Sequence, residues 1–282
     1  MVLIHNLQLR TISQKQLCVG WNLTPNWESD HEYVISMYHT KTNRSYLKIQ
    51  IRLLHNKEKN FVTFNQTFKT TIPTGIYNIS VSNRNSNETM NIVLPAIGAL
   101  STGGTCFLIN GSLFNKKDMW CVLTNHHALR NPTIASQIKV LFNDVLISNL
   151  RPDIFWKTHT NEGTTGLDYS CIAIDDTTKQ NLINLQITPN EIGKSPKECY
   201  NHLMLIHRPA YANMFLHTLC KITEHKSVKT KYDYLGITSG GGSSGSPIFG
   251  VNRRTKEISV CGLHKAKGTC VDIDNVINDL KN

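Results

Sequence analysis

The chain has no run approaching about 18 apolar residues, so nothing in it reads as a membrane-spanning helix. Its first residues, MVLIHNLQLR, lack the basic start, long apolar stretch and small-residue cleavage site of a secretory signal. The chain as given is therefore expected to act inside the cell. No CxxC pair and no close Cys/His cluster has zinc spacing, which argues against a metal site, and no cofactor is expected. Arginine-rich arms and RNP-like aromatic signatures are missing too, so sequence-specific nucleic-acid binding has no motif behind it. The first 92 residues also lack any helical period of length.

What is present is a globular composition. Of 282 residues, 40% are hydrophobic and 18% charged, enough apolar side chain to build a core and too little charge for a disordered chain. Basic residues outnumber acidic ones by 30 to 20, a net charge of +10. They are scattered, with mild clusters at Lys226 to Lys231 and Arg253 to Lys256, and suit either an acidic partner or a merely basic protein. Six glycosylation sequons, at Asn22, Asn43, Asn65, Asn78, Asn87 and Asn110, are discounted in so Asn-rich a sequence. The eight cysteines are irregularly spaced, and several, such as Cys171 in YSCIAI and Cys261 in ISVCGL, sit in apolar strand-like runs. Buried thiols fit that placement better than a disulfide framework.

Residues 1–92 read as strands throughout: QLCVGWNL, EYVISMY, SYLKIQIRLL, NFVTFNQTFKTTI and IYNISVSN, separated by polar turns. In the first of these Leu17, Val19 and Trp21 share a face. About seven short strands at this spacing predict a β-sandwich. With Trp21, Tyr33-Val34-Ile35 and TIPTGIYNISV in place, residues 1–92 resemble a fibronectin type III domain. The resemblance implies that Tyr77 is buried and that its hydroxyl bonds back to the preceding corner. Its work would be contact or positioning, since no catalytic set falls within it.

Residues 93–282 change character. AIGALSTGGTCFLIN, MWCVLTNHHAL, SQIKVLFNDVLI and the run around DYSCIAID look like strands, and helical spacing emerges only near the end, at Val271, Ile273, Val276, Ile277 and Leu280. A β-rich segment of this size with a short C-terminal helix suggests two barrels. Within it lies Thr238 to Gly250, TSGGGSSGSPIFG. By itself this stretch is either a flexible Gly/Ser linker or a loop that aims backbone amides at a developing oxyanion around a nucleophilic serine. The order of the chain decides between them. A histidine ends an apolar strand at VLTNHH, an Asp follows 41 residues after His127 at Gly166-Leu167-Asp168-Tyr169, and Ser244 comes 76 residues after that. A serine nucleophile needs an imidazole to take its proton and a carboxylate to hold the imidazole.

LTNHHAL, GLDYSCIAI and GGGSSGSPIF resemble the chymotrypsin-fold serine proteases over roughly residues 94–282, and GTCFLIN, SSGSPIFG and VCGLHKAKG are similar to HtrA-like and glutamyl endopeptidases. The resemblance implies an all-β chain, a fibronectin III-like sandwich followed by a double β-barrel. It implies His127 as base with His126 beside it, Asp168 as orienting carboxylate, Ser244 as nucleophile, and the amides of Gly242 and Ser244 as the oxyanion hole. Ser243 stands where trypsins carry the Asp that pairs with a freed N-terminus, so that mode of activation is not expected. Ala128 and Gly240 stand where secreted trypsins carry cysteines.

The same resemblance puts Thr238, Ser239 and His264 at the substrate's primary pocket, where hydroxyls and an imidazole could bind a Glu, Gln or Asp side chain, with Lys265 and Lys267 adding positive potential. The expected function is a serine endopeptidase acting through an acyl-enzyme on protein or peptide, with a protein partner at the N-terminal domain. The alternatives are an inactive protease-like module that binds a partner, and, from charge alone, a nucleic-acid binder whose affinity would fall steeply with salt.

Overall fold

In a computed structural model, residues 4–12, 16–23, 31–53, 61–69, 72–83, 86–142, 145–147, 150–160, 166–193, 200–207, 216–223, 231–235, 241–252, 254–255, 257–266 and 269–282 are described. The chain is all-β apart from short helices, and it divides into two compact units, 1–95 and 96–282.

The first unit holds β1 (Ile4–Ile12), β2 (Gln16–Leu23), β3 (His31–His39), β4 (Ser45–Leu53), β5 (Phe61–Thr67), β6 (Gly75–Ser82) and β7 (Asn87–Leu94). They form two antiparallel sheets, β1-β2-β5 and β4-β3-β6-β7. Alternation in the sequence fixes which face each strand buries, because successive side chains point to opposite sides of a strand. Leu17, Val19 and Trp21 of β2, Tyr33, Ile35 and Met37 of β3, and Tyr77, Ile79 and Val81 of β6 meet in one buried cluster. Trp21 and Tyr33 pack with ring centroids 5.6 Å apart. The Tyr77 hydroxyl donates to the Pro73 carbonyl at 2.6 Å, which secures the turn entering β6.

The second unit begins with β8 (Ile97–Leu100), β9 (Thr105–Asn110), β10 (Trp120–Thr124), β11 (Val140–Phe142), β12 (Val145–Ile147), β13 (Leu150–His159) and β14 (Tyr169–Ile174). These make one antiparallel sheet in the order β12-β11-β8-β9-β10-β14-β13. The central strands β10 and β14 are buried at every position, so their continuous apolar runs lack the two-residue alternation of the first unit. One face, with Leu108, Val122 and Ile172, lines a core closed by Leu129, Ile138 and Leu182. Then β15 (Tyr200–His207), β16 (Leu216–Thr223), β17 (Lys231–Leu235), β18 (Pro247–Asn252), β19 (Ile258–Ala266) and β20 (Thr269–Asp272) close into a barrel, β15-β16-β17-β20-β19-β18.

Among the described residues, three α-helices and a 3-10 turn at Gly111–Phe114 complete the unit, the helices being α1 (Pro132–Gln137), α2 (Asp176–Asn184) and α3 (Ile273–Lys281). α3 buries Ile273, Val276, Ile277 and Leu280. Val271 belongs to β20 instead, because Asp272 caps the helix by accepting from the Asp274 N–H and so starts it at Ile273. α2 has the same kind of start, Asp175 accepting from the Thr178 N–H, but buries only Thr178 and Leu182 and so shows little apolar period. The side chains of six cysteines are described, all as free thiols, and five of these are buried: Cys106, Cys121, Cys171, Cys261 and Cys270. Burial pushes the Cys106 and Cys171 thiols well above their usual range. Among the described residues no helix is long and apolar enough to cross a membrane, and no three His, Cys, Asp or Glu are grouped to hold a metal ion.

Candidate active site

The sheet supplies a histidine–aspartate pair. β10 ends at Thr124, and a turn follows in which the Ala128 and Leu129 amides fold back on the Asn125 carbonyl. That turn lifts His127 out of the strand, and its side chain is 39% exposed while Asp168 is fully buried. His127 makes two bonds to the carboxylate: its ring Nδ1 lies 2.9 Å from Oδ2, and its backbone N–H donates to Oδ1 at 3.1 Å. Both oxygens of Asp168 are thus engaged by one residue, which fixes ring orientation as well as distance.

Asp168 is itself held from several sides. It sits at φ 48, in the left-handed region that Asp tolerates better than most residues. Its N–H donates to the Thr160 carbonyl at 3.3 Å, and its carbonyl accepts from the side-chain amide of buried Asn125 at 2.9 Å. The Lys265 ammonium lies 4.0 Å from Oδ2. Neighbouring His126 is held elsewhere: its Nδ1 meets the Thr158 hydroxyl at 2.7 Å, and Thr158 in turn donates to the Tyr169 carbonyl. Tyr169 reaches α3, its hydroxyl 2.5 Å from the Asp279 carboxylate.

The barrel supplies the serine. Residues 241–246 form a tight loop before β18, with Gly242 at φ 90 and Gly245 at φ 86. Thr105 of β9 anchors it twice, its N–H donating to the Ser244 carbonyl at 2.8 Å and its hydroxyl to the Gly242 carbonyl at 2.8 Å. His264 anchors it twice more through its backbone, accepting from the Gly245 N–H at 3.0 Å and donating to the Ser246 carbonyl at 2.8 Å. Among the described residues nothing accepts from the N–H groups of Gly242 or Ser244, the two amides expected to serve an oxyanion. The half-buried Ser244 hydroxyl donates to the Lys265 carbonyl at 2.8 Å, and no hydrogen bond joins it to His127. Catalytic hydrogen bonds in unliganded enzymes are often unformed and tighten only when substrate binds.

His264 is 1% exposed. Burial pushes its imidazole down to about 4, and charges on His207 and His127 would press in the same direction. Thr238 and Ser239, the two hydroxyls expected beside it, lie outside the described residues, as does Lys267. The motifs singled out residues His127, Asp168 and Ser244 but overlooked the groups that hold them. Asn125 sits inside the VLTNHH run, where an amide two residues before the histidine was the available signal. His207 ends the apolar run LMLIH much as the paired histidines end VLTNHH, and that parallel was available too.

No protein-family model matches the chain, and a search of curated proteins finds no relative. Among solved structures, one titled "Crystal structure of Deg5" aligns with 65% of this chain and 86% of its own, at 13% identity and a TM-score of 0.43.

Proposed function

We propose that the chain is a serine endopeptidase of the trypsin-like class, hydrolysing peptide bonds through an acyl-enzyme. The observation that carries this reading is the two-point grip of buried Asp168 on His127, on the same unit as a glycine loop that presents Ser244. In the reaction the Ser244 hydroxyl swings from the Lys265 carbonyl to the free nitrogen of His127, gives up its proton there and attacks the substrate carbonyl. The carbonyl oxygen becomes an oxyanion beside the amides of Gly242 and Ser244. His127 then protonates the leaving amine, and water attacks the resulting ester by the reverse route. Asp168 holds the ring and stabilises its positive charge.

For the residue before the cut, His264 and the hydroxyls of Thr238 and Ser239 favour a polar side chain. An imidazole that is uncharged at neutral pH offers a hydrogen bond without a counter-charge, which suits the carboxamide of Gln better than the carboxylate of Glu or Asp. The strand order β1-β2-β5 over β4-β3-β6-β7, with Tyr77 tied to Pro73, supports the reading of residues 1–92 as a fibronectin III-like contact domain.

One observation favours a second reading, a protease-like module that only binds. The Ser244 hydroxyl is spent on Lys265 and not on His127. A fluorophosphonate probe separates the two, because only an activated serine is phosphonylated. Rapid labelling of the wild type that is lost in Ser244→Ala and His127→Ala is the expected result. Equal labelling of Ser244→Ala would end the assignment. A peptide-library profile dominated by Phe, Tyr or Leu before the cut would end the pocket assignment alone.

A further inference from the structure

The loop that presents Ser244 is made of small residues, and one side chain within it reaches into the barrel. The hydroxyl of Ser243 lies 2.7 Å from Nδ1 of His207, the last residue of β15. Both partners are buried, His207 at 0% and Ser243 at 1% exposure. β15 is paired on both sides, Leu205 opposite Ile248 of β18 and His207 opposite Leu216 of β16, so the imidazole is mounted on a fixed strand. Buried polar groups on fixed elements hold their partners more firmly than exposed ones, because an unmade bond there leaves an unsolvated donor or acceptor.

Ser243 is also where the loop turns. Its carbonyl accepts from the Ser246 hydroxyl at 2.6 Å and from the Ser246 N–H at 3.3 Å, closing the turn over Ser244. The peptide joining Ser243 to Ser244 is planar and trans, so its carbonyl and its N–H point in opposite directions. Turning the Ser243 carbonyl inward therefore turns the Ser244 N–H outward. The Ser243 side chain ties this peptide to the barrel as the Ser246 bonds tie its carbonyl, while Gly242 and Gly245 beside it contribute no side-chain anchor of their own.

We propose that His207, acting through Ser243, is the positioning residue that sets the Ser243–Ser244 peptide and so aims the Ser244 amide at the oxyanion. The contact is uncharged: burial holds the His207 ring down to about 4, so at neutral pH the ring carries one N–H and one unprotonated nitrogen, and Nδ1 can pair with the hydroxyl in either tautomer. His264 lies close enough for a charge on His207 to oppose one on itself, which ties the same support to the candidate pocket. The inference rests on Ser244 being the nucleophile.

The test uses the full chain and four variants: Ser243→Ala, His207→Leu, His207→Gln and the double variant Ser243→Ala/His207→Leu, with Ser244→Ala as control. Peptide hydrolysis gives kcat and KM, and fluorophosphonate labelling gives the reactivity of the serine. Losing one oxyanion donor costs roughly 10²–10³ in kcat, and a loop that points its amide correctly only part of the time loses less. Ser243→Ala and His207→Leu are each expected to lower kcat by about 10- to 100-fold with KM changed by less than about threefold. The double variant is expected to be no worse than the weaker single, because the two residues act as one unit. His207→Gln, which keeps a neutral acceptor, is expected to restore most of the rate. A Ser243→Ala enzyme within twofold of wild-type kcat overturns the inference, as does a rise in KM alone or an additive double variant. Should His207→Leu fail to fold, Ser243→Ala decides by itself, since it removes a single oxygen. If Ser244→Ala stays active, the nucleophile assignment fails first and for a separate reason.

Discussion

Replacing Gly245 by Ala tests the loop with a perturbation whose size can be worked from distances. Gly245 sits at φ 86, and an L residue held in the left-handed region costs roughly 1–2 kcal/mol. A Cβ built there would lie 2.0 Å from the Thr105 carbonyl oxygen and 2.3 Å from Oγ1 of Thr124. Neither atom can easily withdraw. The Thr124 hydroxyl donates to that same carbonyl at 2.8 Å in the buried interior, and the Thr105 N–H is committed to the Ser244 carbonyl. Relieving an overlap with packed backbone costs about 1–3 kcal/mol or more.

Together these effects come to roughly 2–5 kcal/mol, a large share of the 5–15 kcal/mol that typically separates folded from unfolded. A unit of this size loses about 2–4 °C per kcal/mol, so its melting transition should fall by on the order of 10 °C. The matched control is Gly241→Ala, where the new Cβ meets nothing within 4 Å, and the change should stay within about 0.5 kcal/mol. Differential scanning calorimetry beside fluorophosphonate labelling reads both effects. A Gly245→Ala chain that melts and labels like wild type would refute the loop's placement against β9 and β10.

Three further outcomes are expected. Asp168→Asn puts an amide donor against one of the two His127 N–H groups, which favours the wrong ring tautomer, and should lower kcat about 10⁴-fold; activity within tenfold of wild type would remove Asp168 from its role. His207 and His264 are uncharged in the folded protein down to about pH 4 but take up protons near pH 6.5 when unfolded. The unfolded chain therefore binds more protons between those values, so stability is full above about pH 6.5 and falls by up to about 1.4 kcal/mol per pH unit per ring as pH drops towards 4. Denaturant titrations at several pH values should show a shallower fall for His207→Gln, and identical slopes would count against buried neutral rings. Tyr77→Phe, which strips the hydroxyl from the Pro73 carbonyl, should cost the first unit about 0.5–1.5 kcal/mol in urea titrations, and no change in midpoint would discount the bond.

The first unit was the easier one to read because its strands are buried on one side only. Leu17, Val19 and Trp21 alternate with outward residues, and the same two-residue rhythm recurs in Tyr33, Ile35 and Met37. In the second unit that rhythm disappears. Every residue of WCVLT and of YSCIAI is buried, so the run announces a strand but not which side faces the core. α2 escaped for a related reason: a helix whose only buried apolar residue is Leu182 leaves almost no period, and only its Asp175 cap marks the start. Val271 shows the converse error, an apolar residue in helical phase that a cap assigns to the preceding strand.

The candidate site divides along the same line. His127, Asp168 and Ser244 were legible because each stands at a strand end or in a glycine loop, where local sequence must change character to make the turn. The groups that hold them left only faint marks, an amide in VLTNHH and a histidine ending LMLIH, because each acts across a long separation in the chain. His207 meets Ser243 from another strand of the barrel, and Lys265 meets Asp168 from β19 while its carbonyl takes the Ser244 hydroxyl. A hydrogen bond between distant strands leaves no periodicity, no cap and no turn residue at either end. It does leave a physical requirement. A turn built from glycines has no intrinsic reason to keep one peptide facing one way, so a serine nucleophile on such a turn needs a buried side chain nearby to choose the orientation. That requirement points to the residue beside the candidate nucleophile and to a neutral hydrogen-bonding partner beneath it, the two positions that Ser243 and His207 occupy.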